Sequence, residues 1–175
     1  MIATRFLRHL LVTGGVVAVL SCGRSVSLAP DSGGGAPNGG LLDGSPQVGL
    51  LRCSPLAYDS VTQTIGPEGG TLSVGPYSLS IPAGALPAAV TITAVAPSDT
   101  VNQVRLFPEG LTFASPASLT MSYANCDALS QLEPKQIAYT TNALAILALL
   151  PSVDVLSQQQ VTGQLQHFST YAVAW

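Results

Sequence analysis

Apolar and polar residues alternate along much of the chain after residue 60. In AVTITAV (89–95), Val90, Ile92 and Ala94 stand against Thr91 and Thr93. In SLTMSY (118–123), Leu119, Met121 and Tyr123 alternate with small hydroxyl residues. A period of two is that of a strand with one face buried. The same reading predicts strands at 60–65 (SVTQTI), 70–74 (GTLSV), 77–81 (YSLSI), 103–107 (QVRLF), 136–141 (QIAYTT), 144–150 (LAILALL) and 167–175 (HFSTYAVAW). The connectors carry turn chemistry: Gly66-Pro67-Glu68-Gly69-Gly70, Ile81-Pro82-Ala83-Gly84, and Phe107-Pro108-Glu109-Gly110. Proline pre-sets φ at the first turn position, and glycine accepts a positive φ after it. Only 127–135 (DALSQLEPK) reads as helical, and it is short. Many short strands with almost no helix predict an all-β, immunoglobulin-like sandwich of about 8–10 strands.

The start of the chain follows another pattern. Arg5 and Arg8 precede an apolar run at 10–20 (LLVTGGVVAVL). A membrane-spanning helix needs about 20 apolar residues, so this run is too short to span. A basic start followed by a short apolar run is the layout of a secretory signal, here 1–21. Residues 22–47 are rich in glycine, serine, proline and aspartate. Such a stretch buries too little apolar surface to offset the entropy of ordering it, so a flexible tether is expected. Its GGGAPNGG lacks the preceding strand and following helix of a phosphate-cradling loop. Residues 48–175 then form one domain.

Val19-Leu20-Ser21-Cys22 resembles the lipobox of bacterial lipoproteins. The resemblance implies cleavage before Cys22, diacylation of its sulfur and a membrane as partner. Two or three acyl chains hold a protein stably, where one does so marginally. Gly23 stands where an aspartate would argue for inner-membrane retention, which favours an outer-membrane address.

From Cys22 onward, Arg24, Arg52, Arg105 and Lys135 face nine acidic residues, a net charge of −5. No cationic cluster is present, which argues against nucleic acid as a partner. Cys53 and Cys126 remain once Cys22 is used. Outside the cytoplasm such a pair is expected to form a disulfide. Metal binding is the weaker alternative, with no CxxC pair and His167 the single histidine after the leader. No cofactor is expected. The sequence holds no G-x-S-x-G elbow, H-E-x-x-H pair or Rossmann fingerprint. A carbohydrate-binding sandwich is a further alternative, and it requires a row of exposed aromatics among Tyr58, Tyr77, Tyr123, Tyr139, Tyr171 and Trp175.

IGPEGGTLSV, YSLSIPAGAL, VTITAVAP, FPEGLTFASPASLTMSY and the terminal QHFSTYAV are similar to the ZU-five domain. That module is shared by zona-occludens proteins, uncoordinated-type netrin receptors and ankyrins, with bacterial relatives on tethered surface proteins. The similarity covers roughly 61–175. It implies a β-sandwich that binds other proteins, here an envelope protein. Some members cut themselves between Phe and Ser of a His-Phe-Ser sequence, which makes His167, Phe168 and Ser169 candidates for self-processing. In an unbroken strand His167 and Ser169 point to one face, so their cooperation requires a kink. The alternative is a plain closing strand with Leu165, His167, Ser169, Tyr171, Val173 and Trp175 on one face. The sequence as a whole reads as a non-catalytic, lipid-anchored envelope protein.

Overall fold

The computed structural model describes residues 49–127 and 133–175. They form two antiparallel sheets stacked as a β-sandwich. The strands are β1 (Asp59–Ile65), β2 (Gly70–Val74), β3 (Tyr77–Ile81), β4 (Val90–Ala96), β5 (Gln103–Phe107), β6 (Thr112–Ser122), β7 (Gln136–Thr140), β8 (Ile146–Leu149), β9 (Ser152–Val155), β10 (Gln160–His167) and β11 (Thr170–Ala174). The first sheet has the order β1-β4-β5-β11-β7-β8 and the second β2-β3-β6-β10-β9. Eleven strands exceed the expected 8–10 because β9 and β10 arise from 152–167, where no strand is expected before His167. The helical expectation at 127–135 falls largely on residues outside those described, as do the signal, Cys22 and the tether.

Alternation places the core as expected. Ile92 and Ala94 are fully buried, as are Leu119, Met121 and Tyr123. Leu72, Leu79, Val104, Leu106, Ile137, Val161 and Leu165 join them in one continuous cluster. The outward face of the second sheet is hydroxylic. Thr120 and Thr162 are hydrogen-bonded across strands at 2.8 Å, and Gln164 donates to Ser118 at 3.0 Å. Cys53 and Cys126 are joined as a disulfide.

The aromatics serve the core. Tyr77, Tyr123 and Tyr171 are buried, Tyr139 and Trp175 are half-buried, and of the tyrosines and Trp175 only Tyr58 is exposed; Phe107 is the other exposed aromatic among the described residues. The aromatic row required for a carbohydrate platform is therefore missing. The Tyr123 hydroxyl donates to Asp154 Oδ1 at 2.6 Å, and the Lys135 backbone N–H donates to Asp154 Oδ2 at 2.9 Å.

Burial gives the domain a high-pH limit. It pushes the Tyr77 phenol from 10.0 up to about 12. Tyr171 is raised by burial, and Tyr123 by burial and then by Asp154. The unfolded chain loses these protons near pH 10 while the folded chain keeps them. The unfolded state then binds fewer protons, so stability falls as pH rises. Burial pushes the Lys135 ammonium down, which acts in the opposite sense, one group against three. Stability is expected to fall steeply between about pH 10 and 12. Urea titrations read by far-ultraviolet circular dichroism, at stepped pH, check this. Unchanged midpoints across that window would contradict it.

One edge is built from a strand that changes sheets. β8 flanks Ala138–Thr140 of β7 in the first sheet. The chain then passes through Leu150 and Pro151, and β9 flanks Gln160–Gly163 of β10 in the second. The Leu150 N–H still donates to the Ile137 carbonyl at 2.8 Å, and Pro151, which has no N–H, marks the crossing.

Candidate functional site

The terminal segment is not one strand. β10 ends at His167 in the second sheet, and β11 starts at Thr170 in the first. Phe168 and Ser169 carry the chain between sheets. Phe168 and Tyr171 are three residues apart and both lie in the core. An unbroken strand sends residues three apart to opposite faces, so the expected continuous strand over 167–175 is corrected to two. The shared face of Leu165, His167, Ser169, Tyr171, Val173 and Trp175 goes with it. The register is also irregular between Leu165 and His167.

The crossing is held on both sides. The Phe168 N–H donates to the Leu111 carbonyl at 2.7 Å, and the Gly110 N–H donates to the Phe168 carbonyl at 2.9 Å. The Leu106 N–H donates to the Ser169 carbonyl at 3.0 Å. Gly110 has φ +80°, in the region that suits glycine, and so its N–H is free to point at the crossing. The Phe168 ring meets Phe113 edge-on, with centroids 5.1 Å apart.

His167 lies against Tyr139 (ring centroids 4.9 Å) and near Tyr171. The Tyr171 hydroxyl donates to the His167 carbonyl at 2.6 Å. His167 Nδ1 sits 3.4 Å from the Phe168 carbonyl oxygen, at the outer limit of a hydrogen bond. The structure therefore brings His167 to the Phe168 carbonyl. It shows no hydrogen bond between His167 and the Ser169 hydroxyl, and Ser169 as a residue is 7 % exposed. This carbonyl has a backbone donor and an imidazole nearby, while the serine lacks a placed base. Sequence reasoning missed Gly110 and Tyr171 as neighbours of this crossing. The Pro-Glu-Gly turn was visible, but nothing local says which loop it meets. Among the described residues, no three His, Cys, Asp or Glu side chains converge as a metal site.

A second feature is the β8–β9 edge. Leu147, Leu149, Val153, Val155 and Leu156 are exposed, Val153 by 67 % and Leu156 by 62 %. Between residues 142 and 160 the one charged residue is Asp154, whose carboxylate is taken by Tyr123 and Lys135. The opposite edge differs. On β1 the exposed residues are Ser60, Thr62, Gln63 and Thr64, and on β2 Thr71 and Ser73. Exposed apolar residues that cluster, unlike scattered ones, mark surfaces that meet something. From sequence, 144–150 reads as one more strand; the signal of the edge is an apolar run with no charge to solvate it.

The sequence matches no protein-family model, and no curated protein matches it.

Proposed function

We propose that this chain is a non-catalytic lipoprotein of the bacterial envelope. It is anchored in the outer membrane through Cys22, and its sandwich acts as a protein-interaction or structural module. The observation that supports the interaction reading is the apolar β8–β9 edge, whose one carboxylate, Asp154, is engaged by Tyr123 and Lys135, on an otherwise acidic domain. From residue 48 onward three basic residues face seven acidic ones. The lipid anchor is supported by the Val19-Leu20-Ser21-Cys22 sequence.

A second reading is self-cleavage between Phe168 and Ser169, supported by the break in the strand and the two groups near the Phe168 carbonyl. The Ser169 hydroxyl oxygen would attack the Phe168 carbonyl carbon, and its proton would pass to the departing Ser169 nitrogen. The resulting ester would then be hydrolysed by water, giving a Phe168 carboxylate and restoring the serine hydroxyl. Against it stands the serine hydroxyl without a base.

One measurement tests both readings. Denaturing mass spectrometry of the protein extracted from envelopes is expected to show a chain that begins at an acylated Cys22 and runs unbroken to Trp175. An unacylated Cys22 overturns the anchor. Loss of the mass of 169–175 replaces the first reading with the second.

A further inference from the structure

The β8–β9 edge terminates both sheets, and each strand has a neighbour on one side only. A terminal strand leaves a row of backbone donors and acceptors ready to pair. Proteins usually blunt such edges with lysine, inward-facing charge or proline. Here Pro151 sits at the crossing between the strands, Asp154 is the one inward-facing charge, and no lysine or arginine lies between residues 142 and 160. Five exposed apolar side chains line the edge.

We propose that this edge is the interface of a homodimer, closed by packing β8–β9 of one copy against β8–β9 of a second. The proposal rests on reading this edge as the interaction surface, and it names the occupant. Charge selects the second copy. The domain is acidic overall, so two copies repel each other across most of their surfaces. Along this edge the one carboxylate is already engaged by Tyr123 and Lys135. Two acidic molecules can close here without facing like charges. A strongly charged partner gains no complementary group, and an anionic membrane meets no cation. Antiparallel pairing of an edge with itself is also the symmetric solution, in which one patch serves both subunits. An edge of this size offers on the order of 500–800 Å² per copy, at the low end of specific interfaces. That predicts a reversible dimer rather than a permanent one.

The test is sedimentation velocity on the mature chain, residues 22–175 carrying Cys22→Ser, in buffer without detergent, from about 1 to 200 µM. A monomer–dimer equilibrium is expected across that range. Leu147→Lys and Val153→Lys should each weaken it at least tenfold while leaving the thermal midpoint unchanged at about 1 µM, where the chain is monomeric, since both side chains are more than half exposed. Thr62→Lys, on the polar β1 edge, should leave the dimer intact. A monomer throughout overturns the proposal, as does a dimer indifferent to the edge substitutions. So does a monomer that floats with neutral phosphatidylcholine vesicles. A photo-cross-linker at Ala148 in intact envelopes separates the two levels. If the chain is monomeric but cross-links to a different protein in a Val153-dependent way, self-association falls and the interaction reading stands. If it is monomeric and cross-links to nothing, both fall.

Discussion

Replacing Cys53 and Cys126 together by alanine is expected to lower the stability of the domain by about 2–4 kcal/mol. For a domain of this size that corresponds to a thermal midpoint lower by about 8–15 °C. The bond joins positions separated by 73 residues. Constraining so long a loop removes a large share of the unfolded chain's freedom, by roughly 4 kcal/mol in the chain-entropy argument. The folded side loses less, because other bonds hold the same segments. The Cys53 N–H donates to the Thr100 carbonyl at 2.8 Å, the Ser54 N–H to the Asn125 carbonyl at 2.8 Å and the Asp127 N–H to the Arg52 carbonyl at 3.1 Å. The side-chain amides of Asn102 and Asn125 exchange two hydrogen bonds, at 2.8 and 3.0 Å. The far-ultraviolet spectrum of the variant should therefore match that of the parent at neutral pH. Urea unfolding of the oxidised protein, the reduced protein and the double variant measures the effect. The last two should agree within about 0.5 kcal/mol. A loss below about 1 kcal/mol would mean that the unfolded chain is already compact around this loop.

The strands that could be read from sequence are those whose ends are chemically marked. The segments 70–74, 77–81 and 103–107 coincide with β2, β3 and β5, and glycine or proline turns bound them. In β10, Val161, Gly163 and Leu165 alternate with Gln160, Thr162 and Gln164, but the central inward position is a glycine, which weakens the strand signal. The structure gives that glycine a task. A side-chain carbon added at Gly163 would lie 3.1 Å from Ile137 Cβ in the facing sheet, so the glycine lets the two layers approach. β9 was hidden for a different reason: Ser152–Val155 continues an edge strand across a change of sheet, and periodicity carries no sign of which sheet a strand joins. The break at Phe168–Ser169 is non-local in the same way. Its cause is the Gly110–Leu111 backbone and Phe113, more than fifty residues earlier in the chain. The disulfide was accessible because, with Cys22 read as the lipidated residue, two cysteines are left to pair. The apolar edge was visible in composition, but not as a surface, since LAILALL reads equally well as a buried strand.

Phe168→Ala is expected to cost about 3–5 kcal/mol, the largest effect of any side-chain truncation considered for this domain. Phe168 is fully buried and is the side chain that fills the core where the chain leaves one sheet for the other. No strand partner stands beside it to rearrange into the space. Its backbone is pinned by Leu111 at 2.7 Å and Gly110 at 2.9 Å, which keeps the cavity from collapsing. Phe113→Ala should cost less, because Phe113 is 8 % exposed and lies on the rim of the same contact. The edge-on geometry of the two rings predicts a coupling of about 0.5–1.5 kcal/mol in a double-mutant cycle. Phe168→Leu, which keeps most of the volume, should cost under about 2 kcal/mol and separates packing from ring geometry. Chemical denaturation of the four proteins of the cycle supplies every term. If Phe168→Ala costs under about 1.5 kcal/mol, the crossing is loosely packed. The strand break would then be an accommodation made by the backbone rather than a position fixed by the core.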